Sequence, residues 1–317
     1  MSTGARDHQG KAEGAQSPSV AALVLNYNGK DITLQAIASL LEMTYPNFDV
    51  IHVDNGSTDG SAEAVAEAFP QVRTVRTQEN RGPTGGLNLG LRTGLEGGYD
   101  YLLSLNNDIE VDPEMLTEMV LSAESSPSIG CVGPKAFYYD ERDRIWSAGG
   151  ILQFKESATR ERGMGEVDRG QYDREEEVDY INGCAILIKR SVLEEVGIWD
   201  PIYQFSSEDA DLCMRLKLRG YRCHYNPRAV LWHMVSLTAG AYEPRRTFYT
   251  GRSAAIFVRR YGRFTDWLTF VAFMAGALPL AFLRELPKGN HRAVIAKLRG
   301  VLRGLREPMT EPPQVSG

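Results

Sequence analysis

Four polar clusters, each following an apolar run, are the first places in this chain where chemistry could be done. They are Asn26-Tyr27-Asn28, Asp54-Asn55-Gly56-Ser57, Asn80-Arg81-Gly82 and Asn106-Asn107-Asp108. In an open parallel sheet, ligands collect beyond the carboxyl ends of the strands. One polar turn is ordinary, whereas four in succession point to a single lined crevice. Asp54 can accept N–H groups from a nucleobase with a pyrimidine-like edge, or it can close an Asx-turn that starts a helix. Asp108, behind two amides, suits Mg²⁺ or Mn²⁺ with diphosphate oxygens and water completing an octahedron; the plain alternative is a polar loop. An ion there would neutralise charge building on a departing diphosphate.

A second kind of chemistry sits in "YQFSSEDADLCMRLKLRGYR". Glu208, Asp209 and Asp211 crowd the start of a segment with helical spacing, and one acid there is explained by the helix dipole. Three within four residues exceed what a cap requires, and a carboxylate so held can deprotonate a hydroxyl. His233, after "VLW", is either a further metal ligand or an ordinary structural histidine.

These residues need elements to position them. "VAALVLNYN" reads as a strand buried on both faces, followed by a helix with Leu34, Ile37, Leu40 and Leu41 on one stripe. "DVIHVDNGSTDGS" gives a second strand and turn, and Asp59 can cap a helix carrying Ala62, Val65, Ala66 and Phe69. "VRTV" is a third strand. The segment "NRGPTGGLNLG" then lets backbone approach a ligand closely and leads into a helix with Leu87, Leu91 and Leu95. "YDYLLSLNND" is a fourth strand, and Asp112-Pro113 opens the next helix. Alternation at such short intervals predicts an α/β fold with a mostly parallel, doubly wound, Rossmann-like sheet. Further strands at "IGCVGP" and "CAILIK" flank a charged stretch, 155–179, that reads as surface loop.

The chain has 317 residues and a formal net charge of -6, which gives no hint of a nucleic-acid partner. Residues 1–18 are polar, without an apolar run, and read as a disordered lead-in. Cys131, Cys184, Cys213 and Cys223 form no CxxC pair and suit reduced, buried thiols. Trp267 to Leu283 carries no charge, near the lower limit for crossing a bilayer, and residues 286–306 contain no acid. Val294, Ile295, Leu298, Leu302 and Leu305 share one helical face, with Arg292, Arg299, Arg303 and Arg306 largely elsewhere. A basic amphipathic helix of this kind suits an anionic membrane surface, and a soluble hairpin packed on the domain is the alternative.

Over roughly residues 20 to 265, the order of segments resembles family 2 of the glycosyltransferases, which have the GT-A fold. The matching pieces are "LNYNG", "VDNGSTDGS", "NRGPTGGLNLG", "LLSLNNDIEVDP", "INGCAILIKR", "SSEDADLCMRLKLRGYR" and "FYTGRSAAIFVRRYG". Within the family, the chain looks most like the bacterial rhamnosyltransferase-like members. A catalytic domain is expected over 19–240, and the apolar and basic segments described above place a C-terminal helical, membrane-associating region over 241–317. The resemblance implies that Asn26 and Asp54 hold the nucleobase while Asn80, Arg81 and Asn88 line the donor pocket, with Asn28, Gly82 and Asn107 in the same clusters. Asp108 matches the metal-binding aspartate, here within Asn-Asn-Asp, and His233 a further metal ligand. Asp209 matches the base, with Glu208 beside it, and Arg252 is placed to meet phosphate or acceptor.

The expected activity is inverting transfer of a sugar from a nucleotide-diphosphate donor, dTDP-rhamnose or a UDP-sugar, with Mg²⁺ or Mn²⁺. The expected acceptor is a hydroxyl of a glycan or lipid-linked glycan at the cytoplasmic face of a membrane, with a homo-oligomer allowed. The QxxRW motif of processive members is absent, which favours one sugar per encounter. Two other classes compete: an inactive carbohydrate- or membrane-binding protein on a transferase fold, and a sugar-phosphate nucleotidyltransferase. The latter needs a basic Gly-rich signature near the first strand, where this chain has "NYNGKD".

Overall fold

A computed structural model describes residues 17–155, 157–234 and 243–315. Most of the expected lead-in, and the expected boundary at 240/241, lie outside these residues. The first half alternates: β1 (Val20–Asn26), α1 (Lys30–Leu41), β2 (Phe48–Asp54), α2 (Ser61–Ala68), β3 (Arg73–Arg76), α3 (Gly82–Glu96) and β4 (Tyr101–Asn106). Then come β5 (Ile109–Val111), α4 (Met115–Glu124), β6 (Ile129–Tyr138), β7 (Ile145–Ser147), β8 (Gly150–Leu152), β9 (Thr159–Glu161) and β10 (Glu176–Val178). The remainder is β11 (Ala185–Lys189), α5 (Arg190–Val196), α6 (Glu208–Leu218), β12 (Arg222–His233), α7 (Pro244–Tyr261), α8 (Phe264–Glu285) and α9 (His291–Arg306).

The main sheet has the order β10-β12-β6-β11-β4-β1-β2-β3, with β5 on β12 and β7 on β6. Strands β3, β2, β1, β4, β6 and β12 run one way, and β11 and β10 oppose them. Alternate residues of β1 serve two cores, as a doubly wound sheet requires. Ala21 and Leu23 face α3, α5 and α6, while Val20, Ala22 and Val24 face α1 and α4.

Register then places the chemistry. Asn26 pairs with Asp54 across β1 and β2, Leu25 with Asn106 across β1 and β4, and His233 with Ile109 across β12 and β5. The polar strand ends therefore meet along one edge.

Two readings need correction. The Gly-rich segment is helix from Gly82 onward, and its later glycines face the sheet: a Cβ on Gly86 would fall 2.4 Å from Leu25 Cδ1, and one on Gly90 2.9 Å from Val53 Cγ2. Those two permit close helix–sheet packing, while a Cβ on Gly82 would meet nothing within 4 Å, so only the start of the segment leaves backbone open to approach. The charged stretch 155–179 contributes β9 and β10 and buries Glu161. In α9, the buried positions are Ala293, Gly300, Val301 and Gly304, which pack on α7, while Ile295, Leu298 and Leu302 stay exposed.

Local starts also shift slightly. Asp59 accepts the Ser61 N–H at 3.1 Å from one residue before the N-cap, a position that Gly60 takes instead. Asp112 accepts from Glu114 N at 2.9 Å, and its helix begins at Met115 instead of Pro113.

Candidate active site

Asn26 ends β1 fully buried, and its amide is committed to protein. Its Oδ1 accepts from Gly29 N, Thr33 Oγ1 and Asn107 Nδ2 at 3.1, 2.9 and 3.0 Å, and its Nδ2 donates to Ser57 Oγ at 3.2 Å. It ties α1, the turn after β2 and the end of β4 together, so it shapes the crevice, its Oδ1 fully engaged by three donors. Asn107 serves the same knot through Thr33 Oγ1 at 2.9 Å. Asn28 is exposed, adopts φ 52°, and accepts from Thr58 N at 2.8 Å.

Asp54 is also fully buried. Its Oδ1 accepts from Ser57 N at 3.2 Å, and Arg76 Nε lies 2.9 Å from Oδ2 without a well-aligned hydrogen bond. That oxygen retains room in its bonding for one more donor. Asn80 and Arg81 are exposed at the start of α3, where Asn80 Oδ1 accepts from Gly82 N at 2.8 Å. Gly82 has φ 74°, the left-handed turn that lets the chain enter α3.

Asn88 and Arg252 do not join this crevice as expected. Asn88 pairs in both directions with the Trp199 backbone, at 2.8 and 3.0 Å, and so locks α3 to the loop before α6. Arg252 donates to Ile202 O at 2.6 Å and lies 3.0 Å from Glu307, which occupies the fork a phosphate would need.

Asp108 and His233 are brought together where β5 pairs with the end of β12. His233 Nε2 stands 3.0 Å from Asp108 Oδ1, and Trp146 packs edge-on against the imidazole at 4.4 Å. Burial works to raise the Asp108 pKa, but the hydrogen bond and charge of His233 hold it below the usual value. Two ligands about 2.1 Å from an octahedral cation lie about 3.0 Å apart at neighbouring positions. The pair's spacing, that of a hydrogen bond, is also that of neighbouring ligands on an octahedral cation, and the Asp108 carboxylate suits Mg²⁺ or Mn²⁺ in donor type.

Asp209 lies in the first turn of α6, directly after Ser207 at φ 71°. A non-glycine residue in that region stores strain, as functional turns often do. The Asp209 Oδ2 accepts from Gly183 N at 3.1 Å, and burial together with the charge of Glu161 pushes its carboxyl up to about 7. Burial and the Asp209 charge also raise Glu208, whose Oε2 is buried without a hydrogen bond. The third acid differs in kind. Asp211 anchors α7, taking Arg215, Arg260 and Tyr261 at 2.9, 2.8 and 2.7 Å.

Asp108 and Asp209 are linked through the turn before β11: Cys184 O accepts from Asn106 N at 3.1 Å, two residues before Asp108, and Gly183 N donates to Asp209 Oδ2 at 3.1 Å. The sequence offered no sign of Glu161. Its partners Ser147, Tyr180 and Asn182 come from separate turns and strands, a convergence visible only in three dimensions. All four cysteines are free and buried, and Cys131, Cys213 and Cys223 bring their sulfurs within 4.8 Å of one another in the core. A cavity of about 570 Å³ lies away from the strand ends, between α7, α8 and α9.

Known proteins agree with this architecture. A model of the family described as Glycosyl transferase family 2 matches residues 22–197. A poly-beta-1,6-N-acetyl-D-glucosamine synthase from Staphylococcus epidermidis is 26% identical over 253 residues, 79% of this chain and 58% of its own length. One from Staphylococcus aureus (strain MSSA476) is 27% identical over 241 residues, 75% and 55% of the two lengths. The chain thus spans a little over half the length of the curated relatives it matches.

Among solved structures, a mannosyltransferase from Pyrobaculum calidifontis in complex with GDP-Man and Mn²⁺ aligns with TM-score 0.58 and 18% identity, covering 92% of this chain and 88% of that one. S. aureus TarS, residues 1–349, aligns with TM-score 0.55 and 15% identity, covering 89% and 81%. These likenesses bear out the GT-A fold expected from the sequence.

Proposed function

The chain belongs to glycosyl transferase family 2, an inverting family, and on that premise we propose that its crevice moves a sugar from a nucleotide-diphosphate donor to an acceptor hydroxyl. The observation that carries this reading is the meeting of two unlike groups at one edge of the sheet. Asp108 and His233 stand at cation spacing, and a buried carboxylate, Asp209, is held by Gly183 N, whose neighbour Cys184 accepts from Asn106 N, two residues from Asp108.

Asp108 and His233 would hold Mg²⁺ or Mn²⁺, which supplies neutralisation of the departing diphosphate. The solved mannosyltransferase carries Mn²⁺, in keeping with a divalent cation here. Asp54, Asn80 and Arg81 receive the nucleotide end, with the open bond of Asp54 Oδ2 taking a base N–H. Asn26 and Asn107 hold the walls. Asp209 takes the proton of an acceptor hydroxyl as its oxygen attacks the anomeric carbon from the face opposite the diphosphate. The new C–O bond forms as the bond to diphosphate breaks, and the diphosphate leaves with the electron pair. One attack without a covalent intermediate inverts the anomeric centre. Raised proton affinity suits Asp209 to this task near neutral pH.

The donor is dTDP-rhamnose or a UDP-sugar; relatives named for poly-N-acetylglucosamine add weight to a UDP-activated amino sugar. The acceptor is a glycan or lipid-linked glycan, met at the cytoplasmic face of a membrane. In this reading, 19–240 is the catalytic domain, and 241–317 brings it to the membrane. Helix α8 has 22 residues and almost no burial, long enough at about 33 Å to reach across a bilayer core of about 30 Å. Nucleoside diphosphate release tests the reading: it should need a divalent cation and vanish in Asp108→Ala and Asp209→Asn. Release that survives both substitutions would overturn it.

A further inference from the structure

Glu161 belongs to none of the segments that carry the family resemblance, and it lies in the charged stretch that reads as surface. Its side chain is nonetheless buried at the end of β9. Ser147 Oγ donates to Oε2 at 2.5 Å, Asn182 Nδ2 to Oε1 at 2.9 Å, and the Tyr180 hydroxyl also to Oε1. Gly150 makes room for the Tyr180 ring, because a Cβ there would fall 2.0 Å from it. A buried carboxylate is strongly disfavoured unless hydrogen bonded, and an apolar side chain would fill the same space at less cost. Three neutral donors converging on a retained acid call for a role beyond packing.

The partners show that role. Asn182 Oδ1 accepts from Cys184 N at 2.8 Å, which closes the turn before β11. The residue between them, Gly183, points its N–H at Asp209 Oδ2 at 3.1 Å. We propose that Glu161 is a positioning residue for Asp209: by clamping Tyr180 and Asn182, it fixes the turn from which Gly183 holds the base. This rests on the reading of Asp209 as base.

Charge acts in the same direction. After burial, Glu161 is the largest contributor to the raised proton affinity of Asp209. Burial raises Glu161 itself, against its three hydrogen-bond donors and His233. The other titratable groups facing the pair are Glu208 and Cys213 on α6, Tyr180, and Cys184 at the start of β11.

The test is Glu161→Gln in the full chain, which keeps the volume and removes the charge. Nucleoside diphosphate release would be followed across pH with the donor that turns over, beside wild type and Asp209→Asn. The expected result has three parts. The kcat falls on the order of tenfold or more, as loss of an outer partner typically costs. Donor KM stays within about twofold, and the acid limb of the kcat profile moves down by roughly one unit. A fall in kcat with the limb unmoved assigns Glu161 to stability alone and overturns the proposal, as does unchanged kcat. Should Glu161→Gln fail to fold, Tyr180→Phe and Asn182→Ala each remove one donor; kcat must then fall at constant KM, and wild-type kcat in both overturns it. Normal turnover in Asp209→Asn would instead remove the base reading itself, whatever Glu161→Gln shows.

Discussion

The surroundings of Asp209 favour its protonated form, and the same surroundings make it a usable base near neutral pH. Asp209→Asn should lower turnover about 10²- to 10⁴-fold while calorimetric binding of the nucleotide is kept. Stability should move the other way. A carboxyl whose folded pKa is raised binds its proton more tightly in the folded chain than in the unfolded one. Its contribution is therefore fully favourable at low pH and is lost as pH rises from the ordinary carboxylate value through about 7. At pH 8, Asp209→Asn should melt at a higher temperature than wild type, with the gap closing toward pH 4; a lower Tm at pH 8 would contradict this. At the metal pair, His233→Ala should weaken Mn²⁺ binding at least on the order of tenfold by calorimetry, the lower end of what even an outer partner costs. Equal affinity would remove His233 from the cation site.

Elements place these residues, and close approach is what holds the elements. In α9, a Cβ on Gly300 would meet Phe248 O at 2.0 Å and one on Gly304 would meet Arg252 O at 2.3 Å, both backbone atoms of α7. Backbone cannot yield as a side chain can, so Gly300→Leu should destabilise by about 1–3 kcal/mol and free α9 for proteolysis ahead of the sheet. Protease resistance equal to wild type would show that α9 does not depend on this contact.

The strands and their polar ends were legible in the sequence because apolar runs and strand-end turns are local signals. Asp54 and Asp108 stand at the strand ends those signals mark, and Asp209 at the helix start marked by its acidic cluster. Asn88 and Arg252 were misplaced because their partners, Trp199 and Glu307, lie far away in the chain. Glu161 was missed for the same reason: the stretch around it is charged, and only the fold turns it inward. The apolar stripe of α9 was visible, but periodicity could not say that glycines, and not leucines, would face α7.

At the scale of the molecule, the mostly parallel sheet carries the proposed donor crevice, and α8 and α9 form an apolar and basic hairpin. Phe264, Leu268, Val271, Leu280 and Leu283 are exposed along α8, and Leu298 and Leu302 along α9. A patch of this extent on helices with no acid between 286 and 306 fits a surface that is both apolar and anionic. The full chain should float with vesicles containing anionic lipid, and Leu280→Asp with Leu283→Asp should reduce that binding. High salt should weaken binding without abolishing it, because α9 is screened and α8 is not. Vesicle binding unaffected by the double substitution would move the membrane contact elsewhere.

The most direct test of the central claim is nucleoside diphosphate release from a panel of UDP-, dTDP- and GDP-sugars, with Mn²⁺, Mg²⁺ or EDTA. Wild type would be compared with Asp108→Ala and Asp209→Asn. The predicted result is release from one donor that needs the cation and is lost in both variants. Release that is indifferent to EDTA and to both substitutions would contradict the assignment of this crevice.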